Sequence, residues 1–83
     1  MKAGMSSVEI EYCVPCGFRE RAVDVQQAIL SGLELELDSV RLVMGDHGVF
    51  RISVDDETVY DKAEASEEFD VDAIVREVRS HVM

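Results

Sequence analysis

Eighty-three residues, 47% hydrophobic and 6% aromatic, set the scale of one small packed domain, spanning 1–83, and are too apolar for a disordered tail. Eighteen Asp and Glu oppose eight Lys and Arg, a net charge of −10 at pH 7 that repels phosphate backbones and anionic lipid and so sets aside nucleic-acid and membrane-surface binding. No apolar run reaches the ~18–20 residues of a membrane span, and Met1–Ser7 lacks a signal-peptide core, so a cytoplasmic location is expected.

Val8-Glu9-Ile10-Glu11-Tyr12 alternates apolar and polar side chains, the period of a half-buried strand. It runs directly into Cys13-Val14-Pro15-Cys16. From Phe18 the period changes: Phe18, Ala22, Val25, Ile29 and Leu33 recur at helical spacing. That helix is expected to fray near Ser31-Gly32. Leu33, Leu35 and Leu37 alternate out of phase with Val40, Leu42 and Met44. A one-residue slip turns every side chain of a strand to the other face. A break near Asp38-Ser39 follows, with Val40–Met44 as the second strand and Met44 expected in the core.

Gly45-Asp46-His47-Gly48 is a turn by composition. Phe50, Ile52 and Val54 form a third strand, and Asp55-Asp56-Glu57 turns it into Thr58-Val59-Tyr60, a hairpin partner. The stretch from Lys62 to Glu68 reads as loop. Asp70 is the expected N-cap of a last helix whose stripe is Val71, Ile74, Val75, Val78 and Val82, with Phe69 stapled against Ile74. The order β-α-β-β-β-α predicts a four-stranded mixed sheet carrying two helices, an α/β thioredoxin-like layout. The chemistry then lies at the end of the first strand.

The cysteines are the chemistry-bearing residues. Residues three apart at a strand-to-helix turn satisfy the ~4.4–6.8 Å Cα separation of a disulfide. Pro15 stiffens the turn and suits a helix start, where its missing N–H costs nothing. Arg19 and Arg21 follow within a turn and favour a thiolate, whereas Glu9 and Glu11 oppose one if close. Other readings stay open at this level: two buried inert thiols, or two ligands of a metal shared between chains. His47 and His81 lie 34 residues apart, without zinc-finger spacing. His47 is expected to be an exposed turn residue, with a place near the thiols as the alternative, and His81 a last-turn helix residue. No phosphate loop or other cofactor motif is present, so no cofactor is expected.

These residues resemble the selenoprotein W-like proteins, the Rdx or SelT/SelW/SelH family. The resemblance is carried by Tyr12-Cys13-Val14-Pro15-Cys16-Gly17-Phe18-Arg19-Glu20-Arg21-Ala22 and by Gly48-Val49-Phe50-Arg51-Ile52-Ser53-Val54-Asp55-Asp56-Glu57. Lys62 and Phe69 fall where the family tends to place a basic and an aromatic residue. The resemblance implies a thioredoxin-like fold and a cytoplasmic thiol-based oxidoreductase. Selenium-containing members carry selenocysteine at the position of Cys16, so this chain is expected to be a cysteine-containing prokaryotic member. Its one proline is Pro15, so the proline that thioredoxins place beside their cysteines is missing, and Asp56 stands at the hairpin's usual glycine.

The expected activity is a dithiol–disulfide couple between Cys13 and Cys16, flanked by Pro15, Arg19 and His47. It exchanges with protein or low-molecular-weight thiol partners through mixed disulfides. The rival class is a non-catalytic binding module whose cysteines act as a redox switch. Two arguments on the attacking thiol disagree. The resemblance puts selenium, the better nucleophile, at the position of Cys16. Cys13, by contrast, is placed before the helix and nearer solvent, with Cys16 inside the first helical turn, and Cys13 is the one expected to attack. The dispersed acidic excess, with Lys2 and Lys62 the two lysines, suits a protein from a salt-rich cell, where self-repulsion is screened.

Overall fold

Four strands and two helices appear in the expected order in the computed structural model, which describes residues 6–64 and 69–82. The strands are β1 (Ser6–Cys13), β2 (Leu37–Gly45), β3 (Phe50–Val54) and β4 (Glu57–Asp61). The helices are α1 (Arg19–Leu33) and α2 (Val71–Val82). One sheet of order β2-β1-β3-β4 results, with β1 parallel to β2 and antiparallel to β3, and β3 antiparallel to β4. This is the thioredoxin-like arrangement. Met1, Met5, Met83 and the part of the expected loop at 65–68 lie outside the described residues.

Alternation along β1 separates two chemically different sheet faces. Val8, Ile10 and Tyr12 pair laterally with Val54, Ile52 and Phe50 of β3. All six are buried under Ala22, Val25, Ile29 and Leu33 of α1 and Ile74 and Val78 of α2. The intervening residues form a polar face. There Arg41 donates to Glu9 at 2.9 Å and Arg51 to Glu11 at 2.6 Å. The hydrogen bond to Glu11, reinforced by its charge, holds the Arg51 guanidinium above its ordinary pKa.

The phase conflict in the second strand is resolved by a bulge. Ser6 pairs with Leu37 but Ser7 with Ser39, leaving Asp38 as an extra residue. One inserted residue restores the phase, so Leu37, Val40 and Leu42 share the core-facing side. The strand therefore begins three residues earlier than Val40, after a single 3-10 turn at Glu34–Glu36. A second irregularity, between Ile52 and Ser53, lets both Val59 and Tyr60 pack on the core.

Two expectations are corrected. The first helix does not fray at Ser31-Gly32; it runs to Leu33, which is buried and anchors its end. Gly32 lies against α2, where a Cβ would come within 3.2 Å of Arg79 Nη2. Met44 is not core: it is 75% exposed. It keeps the phase of Val40 and Leu42, but β2 is an edge strand and the first α1 residue to enter the core is Ala22.

The caps and turns follow their chemistry. Asp70 Oδ1 accepts from the amides of Asp72 and Ala73 at 3.0 and 3.4 Å, capping α2 as expected. Asp55 and Asp56 carry positive φ of 51° and 73°. That is the backbone a two-residue hairpin turn demands, and aspartate tolerates it. No helix among the described residues is long and apolar enough to cross a membrane.

Candidate redox site

The end of β1 is clasped by the β2–β3 loop. The Cys13 amide donates to the Val49 carbonyl at 2.8 Å, and the Val14 amide to the Gly45 carbonyl at 3.1 Å. The chain then reverses. Gly17, at φ 78°, donates to the Val14 carbonyl at 3.1 Å, and Phe18 donates to the Cys13 carbonyl at 3.4 Å. Pro15 occupies the exposed middle of this reversal, where its fixed φ costs nothing and no amide is missed.

Cys13 and Cys16 are disulfide-bonded, with their Cα atoms 5.4 Å apart, inside the range that a disulfide requires. The expected exposure of the two is reversed. Cys13 is 0% exposed, whereas Cys16 is exposed in the turn. Cys13 ends a central strand under the β2–β3 loop, a long-range contact that local pattern does not reveal. Cys16 is also not within the helix: α1 begins at Arg19, and Cys16 lies in the turn that leads into it. The premise that Cys13 lies nearer solvent is overturned.

Arg19 joins Tyr12, Val14, Gly17, Glu20 and Met44 in lining an open groove of about 570 Å³ beside the turn. Val14 and Met44, 48% and 75% exposed, give the groove an apolar wall, while Arg19 and Glu20 bring opposite charges to it. His47 is in the clasping loop, at φ 59°, yet its ring is 91% exposed and lies 3.6 Å from Asp46 Oδ1. It is a turn residue, and no hydrogen bond or ion pair among the described residues ties it to the cysteines. His81 sits at the far end of α2. Its Nδ1 is 3.1 Å from the Glu77 carbonyl and its Nε2 3.7 Å from Glu57 Oε2.

Sequence reasoning missed a cluster on the other side of the turn. Phe50, fully buried, meets Phe18, Tyr60 and Phe69 edge-on at centroid distances of 6.2, 6.1 and 5.6 Å. The Arg21 guanidinium sits 5.1 Å from the Phe18 ring and 5.0 Å from the Phe69 ring, and Lys62 Nζ lies 5.7 Å from Phe18. One signal was available. Arg19 and Arg21 occupy the first turn of a helix, where the helix dipole disfavours cations. Gly45 was missed as well: a Cβ there would lie 2.8 Å from Val49 Cγ1 and 2.9 Å from Glu11 Oε2.

A thioredoxin-like sheet with a Cys-x-x-Cys pair at its first strand-to-helix turn defines a class of thiol proteins with redox-related roles. Within it the chain belongs to the Rdx family, which it matches over residues 7–80. It is similar to a crystal structure from Bordetella parapertussis, with 30% identity and a TM-score of 0.87, covering 93% of this chain and 98% of that one. A selenoprotein W-related protein from Vibrio cholerae has the same fold at 20% identity and a TM-score of 0.89, covering 95% of this chain and 99% of that one. A comparison with curated proteins finds no match.

Proposed function

We propose that the protein is a thiol–disulfide oxidoreductase or redox carrier in which Cys16 is the attacking thiol and Cys13 the resolving one. The observation that carries the assignment is the burial contrast: Cys13 is 0% exposed and Cys16 is open to solvent. A partner disulfide can reach only the exposed sulfur. Cys16 also precedes the N-terminus of α1, with Arg19 starting the helix, and free amides and a cation together favour a thiolate.

The exchange balances without another reagent. The Cys16 thiolate attacks one sulfur of a partner disulfide, forming a Cys16–partner bond and expelling the other partner sulfur as thiolate. The Cys13 thiolate then attacks the Cys16 sulfur, closing the internal disulfide and releasing the second partner thiolate. Two electrons pass to the partner, and the steps in reverse oxidise a dithiol. Protein partners and small thiols both fit this scheme, in the cytoplasm of a salt-rich cell.

Thiol counting tests the proposal. Protein reduced with dithiothreitol and freed of it should reduce hydroxyethyl disulfide with transfer of two electrons, its mass falling by ~2 Da as the pair closes. Two free thiols persisting after that treatment would exclude a redox couple.

A further inference from the structure

The net charge of −10 repels acidic partners, yet cations gather beside the redox turn. Arg19 lines the groove, while Arg21 and Lys62 stack on Phe18, two residues beyond Cys16. Among the described residues, none of the three carries a carboxylate partner, whereas Arg41 and Arg51 are each paired. Two of them also stand in the first turn of α1, against the helix dipole. Helix stability does not explain that placement.

The cations are held ready for use. Arg21 lies against both Phe18 and Phe69, and both rings are braced edge-on by buried Phe50. Stacking engages the face of a guanidinium and leaves the N–H fork at its edge for a carboxylate. A braced side chain loses little freedom on binding. Across the turn, exposed Val14 and Met44 flank the groove. A small anionic thiol has no use for such an apolar wall, but a polypeptide has. Glu20 lines the groove beside Arg19, so the carboxylates of a segment are met by Arg21 and Lys62 and not within the groove, and carboxylates farther away oppose docking weakly. At 0.1 M salt the Debye length is ~10 Å, while the molecule measures 36 × 23 × 21 Å.

We propose that the Arg21–Lys62 aromatic platform and the adjoining Val14–Met44 groove form a docking surface for an acidic protein segment. Carboxylates of the segment engage Arg21 and Lys62, and an apolar side chain packs between Val14 and Met44. Cys16 lies in the chain between the two halves. The use of docking, to present a disulfide to Cys16, rests on the redox reading above; the surface itself does not.

Two labelled peptides with serine in place of cysteine separate the questions. Both carry leucine before the serine, followed in one by three glutamates and in the other by three lysines. In 0.1 M salt, fluorescence anisotropy should show the acidic peptide binding at least about tenfold tighter, the weight of one charge-assisted contact. Lys62→Gln and Arg21→Gln should each erode that preference, Arg21→Lys should restore part of it, and Met44→Ser should weaken both peptides. Equal binding, a preference for the lysine peptide, or charge variants without effect would overturn the docking surface. Reduction of neutral hydroxyethyl disulfide, run alongside, should be unchanged in Lys62→Gln. Charge-selective binding without that reduction would uphold docking and remove the redox reading; reduction without selective binding would do the reverse.

Discussion

Replacing Phe50 with leucine removes the ring that braces the redox end while keeping most of its apolar volume. Phe50 is 1% exposed and meets three aromatic rings edge-on. Each such pair contributes ~0.5–1.5 kcal/mol beyond burial, and full truncation of a buried phenylalanine costs ~3–5 kcal/mol. Phe50→Leu is therefore expected to cost ~2–3 kcal/mol. Against the ~4–12 kcal/mol available to 83 residues, that is a large share. It corresponds to a fall of roughly 10–20 °C in Tm. Urea melts followed by far-UV circular dichroism measure it, with Ile52→Val as the neighbouring control at ~0.5–1.5 kcal/mol. A cycle with Phe18→Leu should show coupling of at least ~0.5 kcal/mol. If Phe50→Leu costs no more than Ile52→Val, or the coupling vanishes, the rings do not brace the site.

The clasp on the cysteine turn is tested at Gly45. A Cβ there meets Val49 Cγ1 and Glu11 Oε2 below 3 Å, so Gly45→Ala should lose ~1–3 kcal/mol and speed disulfide reduction, both absent if the loop adapts freely. Asp70→Ala removes the cap on α2 and should cost ~1 kcal/mol in the same melts; no change would mean the cap is redundant. Salt should stabilise a domain of net charge −10, because the Debye length falls from ~30 Å at 0.01 M to ~3 Å at 1 M. A melting midpoint flat from dilute buffer to molar potassium chloride would contradict the reading of the acidic surface.

What was legible in the chain was what short-range pattern encodes. Alternation located β1 and the β3–β4 hairpin, helical spacing located the buried stripe of α1, and Asp70 marked the start of α2. The phase clash around Asp38 was visible as a clash, but its resolution by a bulge depends on pairing with Ser6 and Ser7. Met44 follows the core period and yet is exposed, near the end of an edge strand. Spacing permitted the pairing of Cys13 with Cys16, beside the inert-thiol and shared-metal readings, whereas their burial left no mark in the sequence. The Cys13 backbone is tied to Val49 of the β2–β3 loop, and Arg21 meets Phe69 across nearly fifty residues. Contacts of that range leave no periodic trace.

The most direct test of the account compares the two single-cysteine variants against one activated disulfide. Reduced Cys13→Ser, which keeps the exposed Cys16, is expected to be alkylated rapidly near neutral pH and to accumulate a mixed disulfide that intact mass detects. Reduced Cys16→Ser should do neither, its remaining thiol being fully buried. Rapid alkylation and trapping in Cys16→Ser instead would return the attacking role to Cys13, and trapping in neither variant would end the thiol-exchange account.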